Sequence, residues 1–181
     1  MPDEPIRLEL RELRPDDVVT GLSLGEAKFN PLKTFLQRDA KGFHANDLGK
    51  TYGWLEPGGR PRVRGYITLV CGEIAVEDEA PFIEDDVNFR YASFPAIKIA
   101  RLAIDRRLRG YNLGRMLVEF SLGLIKEQIC PRVGCRFVVV DAKTDSVEFY
   151  RRQGFTFLET EANRKRSEPI MFVDLRKIPT A

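Results

Sequence analysis

Arg107 to Leu117 reads RLRGYNLGRML, two glycines and three arginines between an apolar run and an amphipathic helix. A strand that ends in glycines and then opens a helix exposes backbone N–H groups at the positive end of the helix dipole. The guest suited to such a junction is an anion, and phosphate is the leading candidate. Taken alone, the junction also fits a Gly110 that merely ends a strand and a Gly114 that lets a helix pack closely. Neither GxGxxG nor GxxxxGK[ST] occurs, so neither of those nucleotide-binding fingerprints applies.

Upstream of the loop, AIKIARLAI (Ala96–Ile104) is rich in β-branched and aliphatic residues and bounded by Pro95 and Asp105, which predicts a central strand. Downstream, Leu113, Met116, Leu117, Phe120 and Leu124 recur at helical spacing and predict one buried face. CRFVVVDA reads as a further buried strand and TDSVEFYRRQ as a short helix ended by Gly154. FTFLE and PIMFVDL then close the chain as strands around the polar turn TEANRKRSE. Towards the amino terminus, IRLELREL alternates as a first strand. The helical zone after it is clearest in PLKTFLQRDAKG, opened by Pro31 and closed near Gly42. KTYGWLE and VRGYITLVCGEIAVE form a hairpin across PGGRPR, and an acidic loop, DEAPFIEDDVNFRYASF, follows. The order predicts a single α+β domain over residues 1–181 on a mixed, mostly antiparallel sheet flanked by helices.

Composition agrees with a soluble enzyme. The 181 residues are 43% hydrophobic and 31% charged, with a formal charge of +2, too small to argue for nucleic acid by itself. Cys71, Cys130 and Cys135 form no CxxC and have no companion histidine cluster. Reduced, buried thiols in a cytoplasmic protein are expected, with no metal. No apolar run approaches the length of a membrane span.

The loop, followed some thirty residues later by a strand and SVEFYRRQGFTFLE, resembles the GNAT family of acyl-coenzyme A N-acyltransferases over roughly Ile97 to Glu159. The family's pyrophosphate loop, Arg/Gln-x-x-Gly-x-Gly/Ala, is matched by Arg109-Gly110-Tyr111-Asn112-Leu113-Gly114. Asn112 stands where the first motif glycine is usual. Asparagine tolerates left-handed backbone geometry better than β-branched residues, so the loop can keep its shape. FYRRQGF (Phe149–Phe155) is similar to the family's FYxxxGF. The resemblance implies acetyl-CoA as co-substrate, held by Arg109 to Gly114 and Arg115, with Leu102, Ala103 and Ile104 of ARLAI offering backbone groups to the pantetheine arm. It also implies Tyr150 as the catalytic residue. Read in isolation, Tyr150 is an amphipathic core residue with its hydroxyl at the surface.

In this chemistry an amine attacks the thioester carbonyl and a thiolate leaves, so the site needs a neutral amine, an oxyanion donor and a proton for sulfur. Full proton transfer from a phenol to a thiolate is uphill by roughly 2 kcal/mol from the reference pKa values, so stabilisation with partial transfer is the more economical role for Tyr150. Cys130 and Cys135 lack a partner histidine, and the lone His44 is expected to be a surface or capping residue. No general base is legible: Glu73, Glu77, Asp78 and Glu79 belong to an acidic run of the kind usually solvated.

The amino-terminal third, with PAIKIARLAID and VDAKTDSVEFY, looks similar to the GNAT branch of toxins that acetylate aminoacyl-tRNA. That implies an α-amine acceptor, an antitoxin partner and a homodimer. Arg60, Arg62 and Arg64, then Arg106, Arg107 and Arg109, then Arg151 and Arg152, then Arg164, Lys165 and Arg166 would hold the phosphates if folding brings them to one face. The alternatives are a small-molecule or peptide N-acetyltransferase, or a coenzyme A-binding module without catalysis.

Overall fold

The computed structural model describes residues 7–75 and 93–178. Seven strands form one mixed sheet in the order β1-β2-β3-β4-β5-β7-β6. The paired strands β1/β2, β2/β3, β5/β7 and β6/β7 run antiparallel, and β4/β5 runs parallel. This is the expected α+β architecture. The chain divides into two compact units, residues 1–70 with 100–118, and residues 71–99 with 119–181.

The first unit holds β1 (Glu9–Glu12), α1 (Asn30–Arg38), α2 (Ala40–Ala45) and β2 (Lys50–Glu56), with the first part of β3 (Arg62–Ala75), the end of β4 (Ser93–Ile104) and the start of α3 (Leu113–Leu124). Its core packs Phe35, Leu36 and Ala40 of the helices against Leu55, Val63, Tyr66 and Ala103 of the strands. Phe35 stacks on Tyr66, with ring centroids 6.4 Å apart, and the Tyr66 hydroxyl donates to the Leu32 carbonyl at 2.7 Å. A register shift between Trp54 and Leu55 bulges β2, a device that re-aims side chains. Gly53 faces Gly65 so closely that a Cβ at Gly53 would stand 2.9 Å from the Gly65 carbonyl oxygen.

The second unit holds β5 (Phe137–Asp141), α4 (Val147–Arg152), β6 (Thr156–Phe157), α5 (Glu161–Arg164) and β7 (Ile170–Asp174). Phe137 lies at its centre, edge-on to Phe94 at 6.0 Å and to Phe172 at 5.9 Å. Burial of such rings is the main favourable term here, at roughly 25 cal/mol per Å² of apolar area.

Several local expectations are corrected. The helical zone does not end near Gly42: it breaks at Asp39 (φ −112°, ψ −34°) into α1 and α2, and Gly42 lies inside α2. β4 begins at Ser93 and runs through Pro95, two residues into the stretch expected as acidic loop. The rest of that stretch, with Asp78 and Glu79, lies outside the described residues, as does Glu77 at the end of the strand expected before it. The turn TEANRKRSE contains α5, capped by the Thr160 hydroxyl accepting from the Asn163 amide, and only Thr156 and Phe157 of FTFLE pair as a strand. In α3, Leu117, Val118 and Ser121 are buried, whereas Met116 is 43% exposed. At about 100° per residue the buried stripe centres between Leu117 and Ser121, and Met116 projects well outside it.

Candidate active site

The loop is built on Asp105, the residue after β4. Its carboxylate is fully buried and accepts from the Arg107 amide at 3.1 Å, the Arg107 Nε at 2.8 Å and the Ser23 amide at 3.4 Å. Arg107 Nη2 also donates to it, and Arg64 Nη1 approaches to 3.8 Å. Burial pushes the Asp105 carboxyl up, but the Arg107 hydrogen bond, the two backbone amides and the Arg107 charge outweigh it and hold it below the usual range. Asp105 thereby caps a 3₁₀ turn over Arg106–Leu108. Arg107 Nη2 and Arg109 Nη2 also reach the carbonyls of Gly21 (3.0 Å) and Leu24 (3.2 Å), and the Arg106 amide reaches that of Ser23 (2.7 Å).

Beyond the turn, Gly110 has φ +93° and Asn112 φ +57°. The second value lies in the left-handed region that asparagine tolerates, which is why the substituted glycine does not deform the loop. The Asn112 carbonyl accepts from the Met116 amide at 3.0 Å, so α3 starts immediately after it. The amides of Leu113 and Gly114 therefore stand in the first turn, where helix geometry supplies no acceptor. The indole of Trp54 donates to the Leu113 carbonyl at 3.1 Å and pins the helix start. Tyr111 is 61% exposed, and Arg115 is exposed on the first turn of α3.

Among the described residues, β4 pairs with β5 only where Ala96, Ile97 and Lys98 face Phe137, Val138 and Val139, although β4 runs on to Ile104. In the continuation Leu102 and Ile104 are half-buried and Ala103 is buried.

Tyr150 lies on α4 in the second unit. Its ring is buried, edge-on to Phe149 at 5.1 Å and Phe155 at 5.4 Å. Among the described residues no hydrogen bond to the Tyr150 hydroxyl is found, and the residue as a whole is 6% exposed. Burial raises the phenol pKa, which keeps the proton on oxygen at physiological pH. A fixed, protonated phenol can donate a hydrogen bond to a developing thiolate, and its raised pKa makes full proton transfer less favourable.

The remaining candidates take other roles. His44 is half-buried, and its Nδ1 accepts from the Thr51 amide at 3.0 Å; burial, then the Lys50 charge, lowers its pKa. The cysteines are less buried than expected, Cys71 being exposed and Cys130 and Cys135 half-buried, and burial pushes Cys135 up to about 12, which suppresses the thiolate. Glu73 accepts from the Ser93 hydroxyl at 2.9 Å. In the first unit Arg64 and Arg107 meet at Asp105, Arg60, Arg62 and Arg109 donate to the carbonyls of Asp16, Thr20 and Leu24, and Arg106 has no side-chain partner among the described residues. In the second unit Arg151 and Arg152 pair with Glu148, Arg164 with Glu159 and Lys165 with Glu161. Sequence reasoning missed Asp105 and Trp54. An Asp after a strand reads as a terminator, and only the repeated arginines beside it hinted at a buried counter-charge. Nothing in the sequence signals the Trp54 bond.

Residues 88–178, half of the chain, match the acetyltransferase (GNAT) domain. A tRNA-acetylating toxin of Mycobacterium tuberculosis is 27% identical over 152 residues, covering 83% of this chain and 86% of the toxin. Among solved structures, a tyrosine-to-phenylalanine mutant of KacT is 24% identical with a TM-score of 0.78, covering 93% of this chain and 95% of KacT. AtaT complexed with acetyl-methionyl-tRNAfMet is 23% identical with a TM-score of 0.77, covering 94% and 96%. A further AtaT mutant toxin, bound to the C-terminus of the antitoxin AtaR and acetyl-CoA, has a TM-score of 0.74 at 23% identity, covering 93% and 94%.

Proposed function

The chain belongs to the GNAT family of acetyltransferases, and on that premise we propose that it moves the acetyl group of acetyl-CoA onto the α-amino group of an aminoacyl-tRNA. The observation that carries the cofactor half of this reading is the loop from Arg109 to Gly114, where Asn112 holds a left-handed φ and α3 opens directly behind it. Amides of Gly110, Tyr111, Asn112, Leu113, Gly114 and Arg115 receive the pyrophosphate, Arg109 opening the loop with its own amide held by the Arg106 carbonyl at 3.3 Å, and the backbone of Leu102, Ala103 and Ile104 takes the pantetheine arm along the part of β4 that has no β5 partner. Bound there, acetyl-CoA supplies the thioester carbonyl as electrophile.

The amine attacks that carbonyl directly, with no covalent enzyme intermediate. Tyr150 donates a hydrogen bond to the departing sulfur as negative charge develops there; its raised pKa makes partial rather than full proton transfer its role. The α-amine fits a site without a legible base. A lysine amine, with a reference pKa near 10.4, is almost wholly protonated at pH 7, whereas an α-amine near 7.7–8.0 is partly neutral. The arginines of the first unit supply the phosphate contacts, Arg106 foremost.

The M. tuberculosis toxin and the AtaT complex with acetyl-methionyl-tRNAfMet support the tRNA acceptor, and the AtaT complex with AtaR supports an antitoxin partner; a cytoplasmic location and a homodimer complete the proposal. Among the described residues no helix is long and apolar enough to cross a membrane. A second reading, a small-molecule or peptide acetyltransferase, is favoured by one observation: Arg151, Arg152, Arg164 and Lys165 of the second unit each have a carboxylate partner, Glu148 (shared by the first two), Glu159 and Glu161.

The test offers charged tRNA and free amino acids or short peptides side by side, with labelled acetyl-CoA, at low and moderate salt. Label is expected in the aminoacyl-tRNA fraction, falling steeply as salt rises because phosphate contacts release counterions. Label confined to the small amines, with a flat salt response, supports the second reading instead.

A further inference from the structure

A buried carboxylate with three kinds of partner sits at the foot of the loop, and the chemistry of acetyl transfer does not use it. From this arrangement we infer that Asp105 is a positioning residue for acetyl-CoA: by holding Arg107 and the Arg106–Leu108 turn, it sets the direction in which the Gly110–Gly114 amides point.

The geometry runs in sequence. β4 is tied down immediately before the turn, because the Asp105 amide donates to the Arg64 carbonyl at 2.8 Å. The Asp105 side chain then accepts from the amide and the guanidinium of Arg107, fixing both the backbone and the side chain of the residue two positions on. Through Ser23 and through Arg107 it also anchors the GLSLG segment, Gly21 to Gly25, beside the loop. That segment is shaped for the purpose. Gly21 and Gly25 have φ +88° and +90°, and three of its carbonyls accept from Arg106, Arg107 and Arg109. A loop whose amides must converge on one pyrophosphate gains affinity when its ordering cost is met before binding. Asp105 is fully buried and so touches no ligand; it acts through Arg107 and the turn.

The inference rests on the acetyl-CoA reading, and the experiment separates the two. Wild type, Asp105→Asn and Arg107→Gln are compared by calorimetry with acetyl-CoA and by steady-state kinetics at saturating acceptor. Asparagine keeps the cap but removes the charge, and Arg107, with its side chain 55% exposed, can be changed without opening the core. Loss of one charge-assisted contact is expected to raise Kd for acetyl-CoA by about tenfold or more in both variants, and KM with it in Asp105→Asn. In Asp105→Asn the kcat at saturating acetyl-CoA should stay within about twofold, the split that marks a lost binding contribution, and Arg107→Gln is read through Kd for acetyl-CoA alone. If Asp105→Asn fails to fold, Arg107→Gln carries the test alone. Wild-type binding with Kd unchanged in the folded variants overturns the inference, as does a fall in kcat at constant KM in Asp105→Asn. Absence of binding by the wild type overturns the cofactor reading and this inference with it.

Discussion

Trp54, the single tryptophan, donates its indole N–H to the carbonyl of Leu113, the first residue of α3, across 59 positions of sequence. The indole is buried, and its partner lies in the loop proposed to hold pyrophosphate. Titration with acetyl-CoA should therefore change the intrinsic tryptophan fluorescence in a saturable way. A Trp54→Phe enzyme loses both the hydrogen bond and part of the buried ring volume, at a cost of about 1–3 kcal/mol in stability by chemical denaturation.

Asn112 should be replaceable by glycine but not by valine. At φ +57° a β-branched side chain is strained by roughly 1–2 kcal/mol, whereas glycine is not. Asn112→Gly should bind acetyl-CoA at least as tightly as wild type, while Asn112→Val binds it several-fold more weakly, as measured by calorimetry.

Tyr150→Phe removes one oxygen and leaves the ring contacts with Phe149 and Phe155 in place. Turnover should fall by about 10²–10⁴, the usual worth of a general acid, with Kd for acetyl-CoA nearly constant. Normal turnover in this variant removes Tyr150 from the mechanism.

Acid should unfold the protein through three carboxylates. Burial raises each of Asp17, Asp105 and Asp174, and their bonds to Arg11, Arg107 and Arg136 with nearby backbone amides more than reverse the effect. Folded pKa values lie below unfolded ones, so the associated stability is complete above the unfolded value near 4 and is lost as pH falls through the folded values. The melting temperature should drop below about pH 4, and Asp174→Asn should show a shallower drop than wild type.

The sequence exposed the elements whose residues act locally. β-Branched runs marked β3, β4 and β5, because such side chains fit a buried pleated surface, and the Arg109–Gly114 motif marked the turn into α3. What stayed hidden depends on tertiary partners. Of the face expected on α3 only Met116 is exposed: it is as apolar as Leu117, and which of them is covered is decided by neighbours distant in sequence. The break at Asp39 has no glycine or proline to announce it. Asp105 is a loop residue by propensity and becomes an anchor only when Arg64, Arg107 and Ser23 surround it.

The division of labour within Tyr150 has a genetic consequence. Its ring belongs to the packing of the second unit and its hydroxyl to the proposed chemistry. A tyrosine codon reaches phenylalanine by one base change; the other amino acids it reaches by one base, among them cysteine, histidine, serine, aspartate and asparagine, all vacate the space the ring fills. A lineage that needs to silence the enzyme while keeping its surface for a binding partner therefore has one short path, and silenced copies of this gene should carry phenylalanine at this codon more often than any other change.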